Sequence, residues 1–260
     1  MGAALLTVVD LSVAYAGRRR GLLGGAEPKE VVRGFTTTLE RGRTLAVVGE
    51  SGSGKTSAIR AISGRAPIAG GTVTIDGRDV GAMSRVERSA VFQFIPQDSR
   101  GSLDPRRTAL WSAAQPLVTS GVGRDEAERA AAEALLSCGL VDVQHHKRPH
   151  ELSGGQVKRV CIARALVRSP ELIIADEPTA GLDVTVQAQI LGLLQSLQAS
   201  RGLSMLLVTH DIGVVRQLAT DMAVMYRGDV VETGPVDEVL REPRHEYTRR
   251  LIEAAPGLHD

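Results

Sequence analysis

The stretch "TLAVVGESGSGKT", residues 44–56, runs an apolar strand straight into a glycine-rich loop and out into a helical pattern. Residues 49–56 fit G-x-x-x-x-G-K-T, the loop whose backbone N–H groups surround the phosphates of a nucleotide. Gly49, Gly52 and Gly54 let the main chain come close to those phosphates, and Glu50, Ser51, Ser53 and Ser57 complete the cradle. Lys55 is placed to reach the β- and γ-phosphates, and the Thr56 hydroxyl to hold Mg²⁺. Such a loop needs a strand before it and a helix after it, so it predicts an α/β core together with nucleotide binding.

Outward from the loop, other apolar runs read as strands at 5–15, 71–77, 91–96, 172–176, 204–210 and 222–228. Several are apolar over four or five consecutive residues, as in strands covered on both faces. Helical patterns fall at about 55–64, 124–138, 155–168, 184–200 and 211–219, the alternation of an open sheet with crossover helices. Residues 16–30 are glycine-rich and polar and predict a surface loop. From about 98 to 165 helical patterns replace strands, which predicts a helical lobe inserted in the α/β core.

"LIIADE" (172–177) supplies a second part of the chemistry. Its apolar residues bury a strand, and Asp176 emerges at the carboxyl end, where ligands of open α/β sheets bind. Asp176 is expected to hold Mg²⁺ through water, and Glu177 to act as general base on an attacking water. "ELSGGQVKRV" (151–160) then adds another Ser-Gly-Gly helix start, itself suited to an anion. A simple kinase or GTPase has no use for this second cradle.

Composition narrows the partners. The formal charge of the 260-residue chain is +1, whereas nucleic-acid partners are normally met with a basic excess. Aromatic residues make up 3%, little for stacking on bases, so no nucleic acid is expected. No apolar run approaches the ~20 residues of a membrane span, and the opening "MGAALLTVVDLSV" alternates like a strand. Cys138 and Cys161 lie in helical patterns without metal or disulfide spacing and predict reduced, buried thiols. "HHKRPH" (145–150) invites a metal reading, but no acid or cysteine completes a ligand set, and it is read as a solvated basic loop.

With these motifs assembled, the chain resembles the ATP-binding subunits of ABC transporters over nearly its whole length. In that family "LSGGQ" is the signature that grips the γ-phosphate of ATP bound to a facing subunit. The resemblance therefore implies that Ser153, Gly154, Gly155 and Gln156 complete a site on another chain. It further implies that Tyr15 stacks on adenine and that Gln97, in "FIPQD", senses Mg²⁺ and the attacking water. By the same resemblance, Asp183 of "AGLD" crosses the dimer interface and His210 of "LLVTHD" contacts the γ-phosphate. The cofactors so implied are ATP and Mg²⁺. The fold implied is a P-loop NTPase core with a mixed, largely parallel sheet, an N-terminal antiparallel β portion and an inserted α-helical subdomain. As one domain over 1–260, it would comprise a RecA-like core at about 1–97 and 166–240, a helical subdomain at about 98–165 and a C-terminal helical tail at 241–260.

"ADEPTAGLDVTVQAQIL", "RGSLDPRRT…QPL" and the ending "EPRHEYTRRLIEAAP" resemble the oligopeptide, dipeptide and nickel importers, in particular the second ATPase of their pairs. Two departures stand out: Glu246 where the tail pattern has proline, and "QVKR" in place of the commoner "QRQR". This resemblance implies a paralogous ATPase or a second copy, two transmembrane permeases and an extracytoplasmic solute-binding protein as partners. It places the chain peripherally on the cytoplasmic face of a bacterial membrane. A non-transport ABC ATPase, for example of the iron–sulfur assembly type, is the competing reading, and it does not account for the "HEYTRRL" tail.

Overall fold

The computed structural model of the chain describes residues 4–16 and 28–255. Most of the loop expected over 16–30, and the end of the tail expected over 241–260, lie outside the described residues. The chain divides into two compact units, Met1–Met83 with Leu206–Asp260, and Ser84–Met205.

In chain order the first unit opens with β1 (Ala4–Tyr15), β2 (Lys29–Glu40), β3 (Thr44–Val48), α1 (Lys55–Ile62), β4 (Gly70–Ile75) and β5 (Arg78–Asp79). The second contains α2 (Arg85–Val91), β6 (Phe92–Ile95), α3 (Ala109–Thr119), α4 (Arg124–Ser137), α5 (Asp142–His145), α6 (Gly154–Leu166), β7 (Leu172–Asp176) and α7 (Val184–Arg201). β8 (Ser204–Thr209) falls at the division. The first unit then resumes with α8 (Ile212–Leu218), β9 (Asp221–Tyr226), β10 (Asp229–Pro235), α9 (Val236–Arg241) and α10 (Glu246–Glu253).

The first unit carries an antiparallel sheet in the order β2-β1-β4-β5 and a mixed sheet in which β10, β9, β3 and β8 are neighbours. β3 pairs with β9 in parallel, Leu45 opposite Asp221 through Val48 opposite Val224. β9 and β10 form an antiparallel pair. The α/β core and the N-terminal antiparallel portion are as expected from the sequence. Every residue of β3 is buried, which is why residues 45–48 are continuously apolar rather than alternating.

β2 and β10 were not legible as strands. β2 buries Val32, Phe35 and Leu39, spacings that read as helical rather than period two. The cause is its pairing with β1, which slips register between Val8 and Leu11 and again between Leu11 and Val13. Bulges of this kind let residues on one strand change face without ending the strand. No residue of β10 is fully buried, so it carries no apolar signature.

In the second unit β6 and β7 run parallel, Phe92 opposite Leu172 through Ile95 opposite Ala175. α3, α4 and α6 pack on one another. α4 buries Ala127, Ala131, Ala134 and Leu135, the i, i+4, i+7 stripe of an amphipathic helix. Cys138 and Cys161 are both buried free thiols, and burial pushes the Cys138 thiol up to about 11. No helix among the described residues is long and apolar enough to cross a membrane.

Candidate nucleotide site

The glycine loop leaves the buried end of β3 and turns into α1 at Lys55. Gly49 has φ 149°, and a Cβ there would lie 2.2 Å from the Met225 carbonyl oxygen. Gly54 has φ 107°, and its Cβ would meet the Val31 carbonyl oxygen at 2.6 Å. Side chains are excluded at both positions by backbone atoms that cannot swing aside, so the glycines are required for the loop to sit on β9 and β2. Within the loop the Ser53 N–H donates to the Glu50 carbonyl (3.2 Å), and the Gly228 N–H donates to the Ser53 carbonyl (2.9 Å).

Lys55 is 6% exposed, and its ammonium donates to the carbonyls of Gly49 and Glu50, both at 2.7 Å. Thr56 and Ser57 follow in α1, half-buried. Tyr15, at the end of β1, donates from its hydroxyl to Ser57 Oγ at 3.4 Å. It keeps 37% of its surface exposed, so a flat ring remains available beside the helix that follows the loop. His210 is exposed at the end of β8, one residue before Asp211, whose carboxylate caps α8 through the Gly213 and Val214 N–H groups.

The second unit holds the remaining candidates. All of β7 is buried up to Asp176, itself 6% exposed. Glu177 follows with φ 43°, a left-handed conformation that costs a non-glycine residue energy and clusters at functional sites. The Gln97 side-chain amide donates to the Glu177 carboxylate at 2.7 Å.

At the start of α6, the Ser153 hydroxyl accepts the Gln156 N–H (3.2 Å) and the Gln156 amide oxygen accepts the Ser153 N–H (3.0 Å). This capping box satisfies two backbone donors at the helix start. A Cβ on Gly155 would lie 2.5 Å from Val186 Cγ1, and one on Gly154 would lie 3.6 Å from Leu182 Cδ2. The Ser-Gly-Gly helix start thus lies directly against the start of α7. Asp183 caps α7, accepting the Val186 N–H at 3.0 Å, and the next residue, Val184, is 85% exposed.

Two residues that touch the candidates were not legible beforehand, and one histidine sits differently from its expected place. Lys158, in α6, is 2% exposed and donates to the carbonyls of Pro96 and Gln97, both at 3.2 Å. Burial depresses its pKa below the usual lysine range. The departure "QVKR" was visible in the sequence, but the contact it makes was not. Tyr247, in α10, accepts the Glu50 N–H on its hydroxyl at 2.9 Å and stacks on Tyr226 with ring centroids 4.2 Å apart. In "HHKRPH", His145 is buried with Nε2 2.9 Å from the Leu140 carbonyl. That histidine packs within its own unit rather than in a solvated loop. Among the described residues no group of three or more His, Cys, Asp or Glu side chains could hold a metal by itself.

The residues present fit a nucleotide and its magnesium. Ser53 Oγ is buried in the glycine loop with no hydrogen-bond partner among the described residues, so the cradle presents a polar group suited to an added ligand. Thr56 in the first unit offers a hydroxyl, and within the second unit Asp176 and Gln97 offer a carboxylate and an amide oxygen. These are hard oxygen donors of the kind Mg²⁺ takes alongside water and substrate phosphate. Because Gln97 donates its amide nitrogen to Glu177, its amide oxygen is left for such a role.

Comparison with known proteins agrees with this chemistry. The family described as ABC transporter matches residues 32–180. The oligopeptide transport ATP-binding protein OppF of Escherichia coli is 41% identical over 259 residues, covering 97% of this chain and 78% of that protein. OppD of Mycobacterium tuberculosis, an oligopeptide transport ATP-binding protein, is 43% identical over 228 residues, covering 86% of this chain. The match spans only 37% of the mycobacterial protein's length. Among solved structures, a dimeric ATP-binding cassette in a post-hydrolysis state bound to ADP and Pi superposes with a TM-score of 0.77. It is 27% identical, and the match covers 89% of this chain and 98% of that one. A glycine loop, a capped Ser-Gly-Gly helix start, a family match over residues 32–180 and a relative 41% identical across 97% of this chain leave one conclusion: the chain belongs to the ABC transporter family.

Proposed function

We propose that this chain is an ATP-binding and ATP-hydrolysing subunit that powers an ABC importer for small peptides. One observation carries the reading. A phosphate loop and a separately capped Ser-Gly-Gly-Gln helix start occur in a chain 41% identical, over 259 residues, to an oligopeptide transport ATP-binding protein. Relatives named for transport favour this over a non-transport ABC ATPase, and their names point to peptides rather than nickel as cargo.

In this reading Gly49, Glu50, Ser51, Gly52, Ser53, Gly54 and Ser57 form the cradle, Lys55 neutralises the β- and γ-phosphates and Tyr15 packs on adenine. Thr56, Asp176 and Gln97 hold Mg²⁺, which when bound neutralises phosphate charge and orients the transferred group. Glu177 takes a proton from the attacking water. Gln97 steadies that carboxylate, and His210 positions the water against the γ-phosphate. Ser153, Gly154, Gly155 and Gln156 serve a nucleotide held by a facing subunit, and Asp183 crosses the same interface. The working unit is then a dimer with a paralogous ATPase or a second copy. It docks at the cytoplasmic face of a bacterial membrane on two permeases fed by an extracytoplasmic solute-binding protein. In the same reading the core spans about 1–97 and 166–240, the helical subdomain about 98–165, and the tail 241–260.

Transport is the decisive measurement. Cells whose chromosomal copy carries Glu177→Gln should lose uptake of labelled di- to pentapeptides while the chain still co-purifies with two permeases. Unchanged uptake of every such peptide would overturn the assignment.

A further inference from the structure

The C-terminal segment reaches the phosphate loop directly. The Glu232 carboxylate, in β10, accepts the N–H groups of Arg244 (2.8 Å) and His245 (3.0 Å). His245 Nδ1 then accepts the Tyr247 N–H at 3.1 Å and caps α10. α10 buries Tyr247, Thr248 and Ile252, and the Tyr247 ring stacks on Tyr226 at an interplanar angle of 29°. Tyr226 ends β9 beside Met225, whose carbonyl excludes a side chain at Gly49, and near Gly228, whose N–H holds the Ser53 carbonyl. The tail therefore packs on the corner of chain that already supports the loop.

The contact it makes there is specific. The N–H of Glu50 and the C=O of Gly49 belong to one peptide group, a rigid plane. Tyr247 accepts from its N–H at 2.9 Å, and the Lys55 ammonium donates to its C=O at 2.7 Å. Rotation of that plane cannot leave one bond without disturbing the other. Burial raises the Tyr247 phenol above its ordinary value of 10.0, so the hydroxyl stays protonated in neutral solution.

We propose that Tyr247 is a positioning residue for the nucleotide loop: its hydroxyl fixes the Gly49–Glu50 peptide, that peptide fixes Lys55, and the C-terminal helix thereby sets the affinity for nucleoside triphosphate. This rests on the reading of residues 49–56 as an ATP loop. It also accounts for the "HEYT" segment, in which the histidine starts the helix and the tyrosine carries the helix's contact to the loop.

Tyr247→Phe tests it, since the ring and its stack on Tyr226 remain and only the hydroxyl is lost. Loss of one net hydrogen bond to the loop corresponds to about a fivefold rise in the Kd of Mg-ATP on the full chain. The KM for ATP should rise to match, with kcat at saturating ATP unchanged. Substitution of a merely structural tyrosine would lower thermal stability and leave both Kd and KM where they were. An affinity within twofold of wild type overturns the proposal. If the wild-type chain itself shows no saturable ATP binding, the nucleotide reading fails instead. Amide hydrogen exchange supplies an independent measurement on the wild-type chain, should the variant prove unstable. The Glu50 amide is expected to be protected, and exchange at the rate of an open peptide would overturn the contact on which the proposal stands.

Discussion

Gln97 and Glu177, eighty residues apart in sequence, are joined side chain to side chain, the amide nitrogen donating to the carboxylate across 2.7 Å. Glu177 holds a left-handed backbone, φ 43°, directly after the buried strand that presents Asp176. A carboxylate constrained at both its backbone and its tip has few orientations left, which suits a group that must meet one water molecule. The Gln97 backbone is held in turn by Lys158, so the signature helix α6 and this carboxylate are linked through one glutamine.

Glu177→Gln preserves an oxygen acceptor for the Gln97 amide and removes the basic carboxylate. ATP binding should persist while turnover falls at least about 100-fold, the usual contribution of general base catalysis. Phosphate release measured beside filter binding checks this, and a rate within a few-fold of wild type removes Glu177 from the role.

Lys55→Ala removes the buried ammonium from the glycine loop and leaves the carbonyls of Gly49 and Glu50 without that donor. Charge-assisted contacts to phosphate are among the stronger hydrogen bonds. ATP affinity should therefore drop at least about tenfold, an outcome readable by titration calorimetry. Wild-type affinity would remove residues 49–56 from the nucleotide site.

Lys158→Met keeps the aliphatic stem and deletes the donor to two carbonyls. The expected loss of stability is about 1–3 kcal/mol near neutral pH. The pH dependence has a definite sign. Burial depresses the folded pKa of Lys158 below the ordinary 10.5, so between those values the unfolded chain binds the additional proton. The wild type should then gain stability over the variant as pH rises from neutral toward 10.5. Urea unfolding of both proteins across that range provides the comparison, and a flat difference would mean that Lys158 is not depressed.

Gly155→Ala pits two effects against each other. Alanine favours a helix over glycine by up to about 1 kcal/mol, yet its Cβ would stand 2.5 Å from Val186 Cγ1. Valine in a helix has essentially one side-chain rotamer and cannot swing clear, so overpacking wins and stability should fall by about 1–2 kcal/mol. Adding Val186→Ala should restore most of it. Failure of the second change to rescue the first, measured by thermal unfolding, would place the cost elsewhere.

The sequence by itself determined the glycine loop, because strand, loop and helix are contiguous in the chain. It likewise determined β3, β7 and β8, whose residues are all buried and hence apolar almost without interruption. The tertiary structure alone decided β2, since its buried Val32, Phe35 and Leu39 follow from register slips against β1 and not from any period of its own. It also decided the contacts of Lys158 with the Pro96 and Gln97 carbonyls and of Tyr247 with the Glu50 N–H. Each ends on a backbone group, and every residue but proline offers the same N–H and C=O whatever its side chain. A polar side chain that binds main chain leaves no matching partner residue in the sequence. Only folding, which brings position 247 to position 50, shows where it goes.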